Sequence, residues 1–369
     1  MSCTHQPCDM TITIPYLKPF LIMSAKNPTI AITQDIQPAD LGNRIFDPSR
    51  VDSFAGFSQA LKRSFNARGV DVVTPDMVPF TDENLKYVVY LDYSWRQHFR
   101  DPFLKQIPRE KRVLIVMEPS SVNPSLYYTS FYRNHFSVVF AWNRNLLLKN
   151  PTNTEINILD GADPERFRSN PFMDKAFGDK KLLAAVGTNR WGYIPYSRYN
   201  QRIKAYKYFE HQFGNEFALY GRGWNQPRIF YEKWLGHQTF ACYHGPIPGV
   251  PDEKIQALAN YKFSVCFENN AFDPGYLSEK IFDCFCARCV PIYYGWDGAD
   301  KIIPPECFIN FRHFRNLRQL GEYIASMDAA HHQTYVDAIN AFMNSSSVLN
   351  FTTHHAIETI FKRLFPSDS

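Results

Sequence analysis

The sequence lacks the marks of several broad protein classes. It contains no run of about eighteen apolar residues and no secretory signal pattern, so it predicts no membrane-spanning helix. The 40 Lys and Arg residues are scattered along the chain and leave a net charge of only +4. A nucleic-acid-binding protein usually concentrates such residues on one face, so this class is not favoured.

Cysteine is sparse and is not arranged as a metal site. Three of the eight cysteines, Cys284, Cys286 and Cys289, form a Cys-x-Cys-x-x-Cys run in a predicted helix. Their spacing alternates around the helix, and no second cluster of Cys or His accompanies them. Buried free thiols are therefore expected, with neither a metal centre nor disulfides.

Length and composition favour two ordinary domains. The chain has 369 residues, of which 45% are hydrophobic and 21% are charged, which supplies apolar material for two cores. Aromatic residues make up 16%, and core packing accounts for most of them. The mildly basic balance would suit an anionic nucleotide-sugar or an anionic membrane surface.

Alternating strands and helices predict a parallel sheet in each half of the chain. A first strand is expected at the apolar runs 12–15 or 20–23, and an amphipathic helix at Ser53–Asn66. Further strands are predicted at residues 70–73, 87–91, 113–117, 138–142, 182–186, 217–220, 263–267 and 290–293. Further helices are predicted at residues 198–213, 316–327, 334–343 and 356–365.

The linker between the halves is expected within residues 149–177, which carry several Pro, Asn and Asp residues. We therefore predict an N-terminal domain over residues 1–165, a C-terminal domain over 166–345 and a C-terminal helix over 346–369.

The most informative stretch is residues 261–295. A buried strand leads into Phe267-Glu268-Asn269, and a loop with Pro274 and Gly275 follows. Ser278 can cap a helix that carries Glu279 and Lys280 in its first turn. A cation there is disfavoured by the helix dipole unless an anion binds nearby. The alternative is that Lys280 is solvated or paired with Glu279 or Asp283.

This stretch resembles the donor-site motif of the α-1,3-fucosyltransferases, glycosyltransferase family ten. The family reads Tyr-Lys-Phe, Phe-Glu-Asn, a variable loop, Tyr-Val-Thr-Glu-Lys, a helix and Val-Pro-Ile/Val-Tyr-Tyr/Trp-Gly. The chain matches it with residues 261–263, 267–269, 276–280 and 290–295. Leu277 and Ser278 replace the usual Val-Thr, and the loop between Asn269 and Tyr276 differs in length and sequence.

The resemblance implies a GT-B fold, with two doubly wound Rossmann-like α/β domains that face a cleft. It also implies donor contacts from Lys280, Asn269, Tyr276 and from Arg202 at a helix start. Arg198, one turn earlier, is the alternative to Arg202. Arg222, in Tyr220-Gly221-Arg222-Gly223, is a further donor-site candidate.

Two glutamates are predicted to be catalytic. Glu118 follows the strand predicted at 113–117 and resembles the family's proposed general base, with Pro119-Ser120 in place of the usual Ser-Pro or Asn. Its alternative is an acid in an exposed loop. Glu279 matches the family's sugar-contacting glutamate, and its alternative is a first-turn acid that stabilises the helix dipole. Glu268 is the candidate for a structural role.

No Asp-x-Asp tripeptide occurs in the chain, although metal-dependent glycosyltransferases commonly use one. No cofactor or metal is therefore expected, and Arg and Lys must neutralise the diphosphate. The resemblance implies an inverting transfer of fucose from GDP-fucose to an acceptor glycan or glycoconjugate that contains GlcNAc, with α-1,3 or α-1,4 linkage. Another nucleotide-sugar donor, or a catalytically silent nucleotide- or glycan-binding protein, is the alternative.

The resemblance leaves two locations open. Family members in eukaryotes are Golgi proteins with an N-terminal membrane anchor. The chain is expected in the cytoplasm if it is bacterial, including a peripheral position at the inner membrane, and in the Golgi lumen if it is a truncated eukaryotic protein. No nucleic-acid partner is expected.

Overall fold

The chain folds as two parallel sheets flanked by helices. The structure, a computed structural model, describes residues 27–34, 40–50, 53–101, 103–148, 153–157, 162–170, 175–190, 198–227, 239–247 and 251–366. In this part of the chain, no helix combines the length and the apolar character needed to cross a bilayer. The strands predicted at 12–15 or 20–23 lie outside the described residues.

The first sheet has six parallel strands in the order β2-β1-β3-β4-β5-β6. The strands are β1 Thr29–Gln34, β2 Asp71–Val73, β3 Leu85–Leu91, β4 Arg112–Ile115, β5 Val138–Ala141 and β6 Thr154–Glu155. The helices of this half are α1 Ser53–Asn66, α2 Trp95–His98, α3 Thr129–His135 and α4 Arg144–Leu148, and α5 Pro164–Ser169 follows β6 in the chain.

The second sheet has five parallel strands in the order β11-β10-β9-β7-β8. The strands are β7 Lys181–Val186, β8 Phe217–Tyr220, β9 Tyr261–Phe267, β10 Val290–Tyr294 and β11 Ile309–Asn310. The helices that follow in the chain are α6 Tyr199–Phe213, α7 Pro251–Leu258, α8 Glu279–Cys286, α9 Leu317–Ser326, α10 Ala329–Met343 and α11 Thr353–Leu364. The predicted α/β architecture with two doubly wound halves is confirmed.

The last helix, α11, returns to the first domain. Its apolar face joins the core of the first sheet, with the Phe361 ring 5.0 Å from the Phe65 ring of α1. Glu358 also pairs with Arg68 just beyond α1. The chain therefore crosses between the domains twice, and its last helix, α11, packs on the N-terminal domain.

The second core begins slightly before the predicted boundary at residue 165. Ala162 and Phe167 pack in the core that contains α8, and the predicted boundary falls inside α5. Arg288, whose φ of 50° is in the left-handed region, lies 3.4 Å over the Phe167 ring. The observed boundary differs from the predicted one because this contact joins α5 to the residues just after α8.

The carboxyl ends of the two sheets face each other. Arg144 N donates to the carbonyl of Pro274 at 3.0 Å, and the Trp142 and Tyr276 rings lie 5.0 Å apart. A Cβ at Gly275, whose φ is +95°, would lie 2.4 Å from the Trp142 carbonyl oxygen. The loop after β9 therefore touches the first domain at the edge where open α/β sheets bind ligands.

Candidate functional site

Glu118 lies just beyond β4, where Asp92 holds its main chain. The Asp92 carboxylate accepts from the N–H of Met117 at 2.8 Å and from the N–H of Glu118 at 3.1 Å. Asp92 follows β3 with a φ of 54°, a conformation that Asp adopts more readily than most residues. Asp92 thus fixes the start of the Glu118 loop, and the sequence analysis had given it no role.

The environment of Glu118 favours a proton acceptor. Burial and the charge of Glu279 raise the pKa of Glu118, while Lys280 and Arg190 lower it. The net pKa is raised, which brings this carboxylate closer to the range in which a general base works at neutral pH. The hydrogen bonds of nearby Ser120 to Asp273 bring the loop after β4 against the loop that leads into α8.

Asp92 makes stability depend on pH. Burial, followed by the charge of Glu118, raises the pKa of Asp92 to about 7. Ionisation is easier in the unfolded chain, so this group lowers stability as pH rises from about 4 to about 7. We expect Asp92→Asn to raise the free energy of unfolding by about 1–2 kcal/mol at pH 8, after allowance for partial exposure, and by much less at pH 4.

Urea unfolding of both proteins at the two pH values measures this difference. Asp92→Ala serves as the comparison, because it removes the acceptor and is poorly suited to the positive φ. An equal effect of the Asn variant at pH 4 and pH 8 would contradict the raised pKa.

The N-terminus of α8 is organised around buried Glu268. This carboxylate accepts from the N–H of Ser278 at 2.8 Å and from its hydroxyl at 2.7 Å. Ser278 in turn caps α8 by accepting from the N–H of Lys280. Lys280 Nζ lies 2.9 Å from Ser278 Oγ and 3.3 Å from Glu268 Oε2.

Lys280 is therefore held in place by Glu268. Two of the expected alternatives, solvation and pairing with Asp283, are wrong, because Lys280 is largely buried and Asp283 pairs with Lys254. Glu279 interacts with Lys280 through its charge, next to the ion pair that Lys280 makes with Glu268. Glu268 has the structural role suggested for it, because its charge offsets the unfavourable position of a cation in the first helical turn. The Lys280 side chain keeps 15% of its surface exposed, so its ammonium group can reach a bound anion.

Glu279 is charged and half-exposed beside Lys280. Burial raises the pKa of Glu279, but Lys280 and Lys254 outweigh it and lower the pKa to about 2. Lys254 of α7 lies 3.5 Å from Glu279 Oε1 and also pairs with buried Asp283. The side chain of Glu279 remains 45% exposed, so its ionised carboxylate is accessible from solvent. Lys254 was not identified from the sequence.

Arg202 and Asn269 meet at the end of β9. Arg202 is buried in α6, and its Nη1 donates to Asn269 Oδ1 at 3.2 Å. Arg198 packs its guanidinium between the Phe272 and Tyr294 rings, 4.9 and 5.0 Å from their centres. Among the described residues, Arg198 Nε is buried without a hydrogen-bond acceptor. Both arginines therefore lie at the end of β9, with Arg202 oriented by Asn269, and a donor contact by either of them stays a prediction.

Arg222 lies on a neighbouring loop, not in this cluster. Its side chain is exposed, and its carbonyl accepts from the N–H of Asn189 at 2.8 Å. Gly221, with φ +124°, is pressed against Gly187, since a Cβ there would lie 1.9 Å from the Gly187 carbonyl oxygen. The loops after β7 and β8 are thus packed together beside the cluster.

Tyr276 is buried between the domains. It packs with the core of the first domain, although it belongs to the donor-motif loop. Burial and then the charges of Glu268, Glu279 and Glu118 raise the pKa of Tyr276. These negative charges and the burial keep the Tyr276 phenol protonated. A donor contact by Tyr276 stays a prediction.

A buried hydrogen-bond network joins the two loops across the cleft. Asp273 accepts from the N–H of Ser120 at 2.7 Å and from its hydroxyl at 2.6 Å. Asn270 Nδ2 donates to the same hydroxyl at 2.9 Å. Ser120 is two residues from Glu118, so the donor-motif loop helps to fix the position of that glutamate.

The structure brings together Glu118, Glu279, Lys280, Arg202, Asn269 and Tyr276. Arg222 stays at the edge of the group. Asp92, Lys254, Ser120 and Asp273 complete it. The described cysteines, Cys242, Cys266, Cys284, Cys286, Cys289 and Cys307, are buried free thiols. In the described ranges, no group of three or more His, Cys, Asp or Glu side chains is arranged to hold a metal ion.

Comparison with known sequences finds a family match in the C-terminal half of the chain. Residues 189–346 match the profile of the glycosyltransferase family 10 (fucosyltransferase) C-terminal region. An α-(1,3)-fucosyltransferase of Helicobacter pylori is 31% identical over 111 residues, which are 30% of this chain and 22% of that protein. A 4-galactosyl-N-acetylglucosaminide 3-α-L-fucosyltransferase of Pongo pygmaeus is 28% identical over 114 residues, 29% of this chain and 31% of the relative. The matches thus span less than a third of these relatives.

Solved structures share the fold over nearly the whole chain. An α1,3-fucosyltransferase solved with GDP superposes with a TM-score of 0.55 at 16% identity, covering 95% of this chain and 94% of the other. The β-glucosyltransferase of phage T4 superposes with a TM-score of 0.53 at 10% identity, covering 91% and 99%. These neighbours are GT-B glycosyltransferases, so the predicted GT-B fold is confirmed.

Proposed function

We propose that the chain, whose residues 189–346 match the family 10 fucosyltransferase profile, is a fucosyltransferase that moves fucose from GDP-fucose to a GlcNAc-containing glycan with inversion at the anomeric carbon. The proposal rests on the contact between the loop of Glu118 and the loop that leads into α8. Ser120, two residues after Glu118, donates to Asp273 with its N–H and its hydroxyl. A candidate base and the candidate anion site at the start of α8 therefore lie on loops that touch across the cleft.

The diphosphate of the donor would lie on the cations of the second domain. Lys280 is pre-positioned by Glu268, Arg202 is oriented by Asn269, and Arg198 has a buried Nε without an acceptor in the described structure. N–H groups at the start of α8 add partial positive charge. Arg guanidinium groups bind phosphate oxygens through paired hydrogen bonds, so neutralisation by the protein alone suits this site.

The reaction would proceed as a single displacement. The hydroxyl oxygen of the acceptor attacks the anomeric carbon while the bond from that carbon to the diphosphate oxygen breaks. GDP leaves with the bonding electron pair, and Glu118 takes the hydroxyl proton. Ionised Glu279 would stabilise positive charge on the sugar ring, because its pKa of about 2 keeps it negative at any physiological pH.

The acceptor side belongs to the first domain. Glu118 and Asp92 lie there, at the carboxyl ends of β4 and β3, so the acceptor hydroxyl would approach from that half. We propose the α-1,3 or α-1,4 linkage on the strength of the family alone. The location in the cytoplasm, with or without peripheral membrane attachment, or in the Golgi lumen remains part of the same proposal.

A nucleotide screen separates this function from its rivals. Thermal shift with GDP, UDP and CMP at equal concentration should give the largest rise in Tm with GDP, because the ligand that binds the folded state most tightly stabilises it most. A larger rise with UDP would indicate another donor. A GDP response without hydrolysis of GDP-fucose or transfer from it would indicate a silent binding protein.

Donor use should not require a divalent metal. With excess EDTA, we expect the rate of transfer from GDP-fucose to stay within about twofold of the untreated rate, because Lys280, Arg198 and Arg202 can supply the positive charge. The measurement is the rate of GDP release with EDTA, and again after addition of Mn²⁺ or Mg²⁺. Loss of turnover with EDTA and its recovery with metal would contradict the proposal.

A further inference from the structure

Exposed aromatic side chains gather on one side of the first domain. In the described part of the chain, seven large hydrophobic residues are exposed, and four of them lie in the loops after β3 and β4. These are Trp95 at 40%, Phe99 at 86%, Val122 at 42% and Tyr128 at 53%. Such a concentration points to a binding surface, whereas single exposed apolar residues do not.

Two of these rings form a fixed pair. The Trp95 and Tyr128 rings lie 4.3 Å apart and are tilted by 41°. Trp95 N donates to Ser125 Oγ at 3.1 Å, and Ser94 caps the short helix α2 that presents Trp95. Phe131 supports the Trp95 ring from 6.2 Å. These contacts fix both rings while leaving them exposed to solvent. The two side chains would therefore lose little conformational entropy on binding a ligand.

The pair lies next to the candidate base. Trp95 is three residues beyond Asp92, whose carboxylate binds the N–H of Glu118, so about 10 Å of chain separates them at most. Ser125, which holds Trp95, belongs to the loop that starts at Glu118. The Trp95–Tyr128 pair thus belongs to the two loops that also carry Asp92 and Glu118, on the acceptor side of the cleft.

We propose that Trp95 and Tyr128 bind the sugar units of the acceptor glycan that lie beyond the reacting unit. This inference rests on the proposed function. A pyranose ring has an apolar C–H face and a rim of hydroxyls. Trp and Tyr offer an apolar face with an N–H or O–H at the edge. A tilted pair of this kind matches a saccharide better than a flat apolar partner does.

The main rival is an anionic membrane surface. Arg96 and Arg100 are exposed beside Phe99, and basic and aromatic side chains together suit lipid headgroups. The saccharide is favoured because Trp95 and Tyr128 lie against the loop of the candidate base, where an acceptor must pass. Vesicle binding decides between the two.

The experiment compares acceptors of increasing length. KM is measured for GlcNAc, for the disaccharide N-acetyllactosamine and for its tetrasaccharide dimer, at saturating GDP-fucose. Wild type should show a lower KM for the longer acceptors. Trp95→Ala and Tyr128→Ala should each raise the tetrasaccharide KM by roughly three- to tenfold, with kcat, GDP affinity and the KM for GlcNAc nearly unchanged.

Conservative and distant variants serve as controls. Trp95→Phe keeps an aromatic ring, so its KM for the tetrasaccharide should stay close to that of the wild type. Leu349→Ala removes an exposed apolar side chain in the 3-10 turn before α11 and should leave every KM unchanged. Circular dichroism on each variant confirms folding before kinetics are compared.

Binding without turnover keeps the inference separate from the proposed function. Saturation-transfer NMR with the tetrasaccharide, without donor, should show binding to wild type that Trp95→Ala weakens. If wild type transfers nothing but binds the tetrasaccharide through Trp95, the proposed function fails and the glycan surface stands. Equal KM values for all three acceptors, or a Trp95→Ala variant that loses only sedimentation with anionic phosphatidylglycerol vesicles, would overturn the inference.

Discussion

Replacing Glu118 with glutamine is expected to lower the rate of fucosyl transfer by about 10²- to 10⁴-fold, the range of general base catalysis. Glutamine keeps the size and most of the hydrogen bonding of glutamate but accepts no proton. The main-chain bonds from Asp92 to the N–H of Met117 and Glu118 do not involve the side chain of Glu118, so the loop should keep its position.

GDP affinity should remain nearly normal in Glu118→Gln, because the nucleotide would lie on the second domain. Calorimetric titration of GDP and the transfer rate are measured on the same preparation. Near-normal transfer by the folded variant would show that another group takes the proton. Asp92, with its pKa raised to about 7, would then be the next residue to replace.

Replacing Lys280 with alanine should weaken GDP binding by about 10- to 100-fold, because a charge-assisted contact to phosphate contributes roughly 1.5–3 kcal/mol. The same change should also destabilise the fold. Buried Glu268 would lose its ammonium partner, and removing one partner of a buried ion pair costs several kcal/mol, about 3 or more.

A double variant separates these two effects. Lys280→Ala combined with Glu268→Gln removes the unpaired charge, and the Gln oxygen can still accept from the N–H of Ser278. We expect the double variant to recover most of the lost stability but none of the GDP affinity. Wild-type GDP affinity in either variant, measured by calorimetry below its unfolding temperature, would remove Lys280 from the phosphate site.

The segment from β9 to β10 was predictable because the residue patterns that define its strands and its helix are contiguous in sequence. Strand β9, the Ser278 cap, helix α8 and strand β10 lie within one segment, and local rules for strands and caps locate them to within two residues. The helix Ser53–Asn66 was likewise predicted with the bounds that the structure gives.

The supporting contacts were not predictable, because they join distant parts of the chain. Ser120 and Asp273 are 153 positions apart, and neither carries a local pattern that selects the other. Lys254 lies on a different helix from Glu279 and Asp283. The apolar face of α11 indicates a buried helix but does not say which domain buries it. The pairing of Lys280 with Glu268 similarly depends on how the loop after β9 folds back.

The most direct test of the central claim is the product of one reaction. The purified chain is incubated with GDP-fucose and N-acetyllactosamine in the presence of EDTA, and the product is analysed by NMR. We expect one new α-fucosidic linkage to GlcNAc, formed in equal amount to released GDP and reduced at least about a hundredfold by Glu118→Gln. A β-linked product, transfer only with added metal, or transfer from a uridine nucleotide-sugar instead would contradict it.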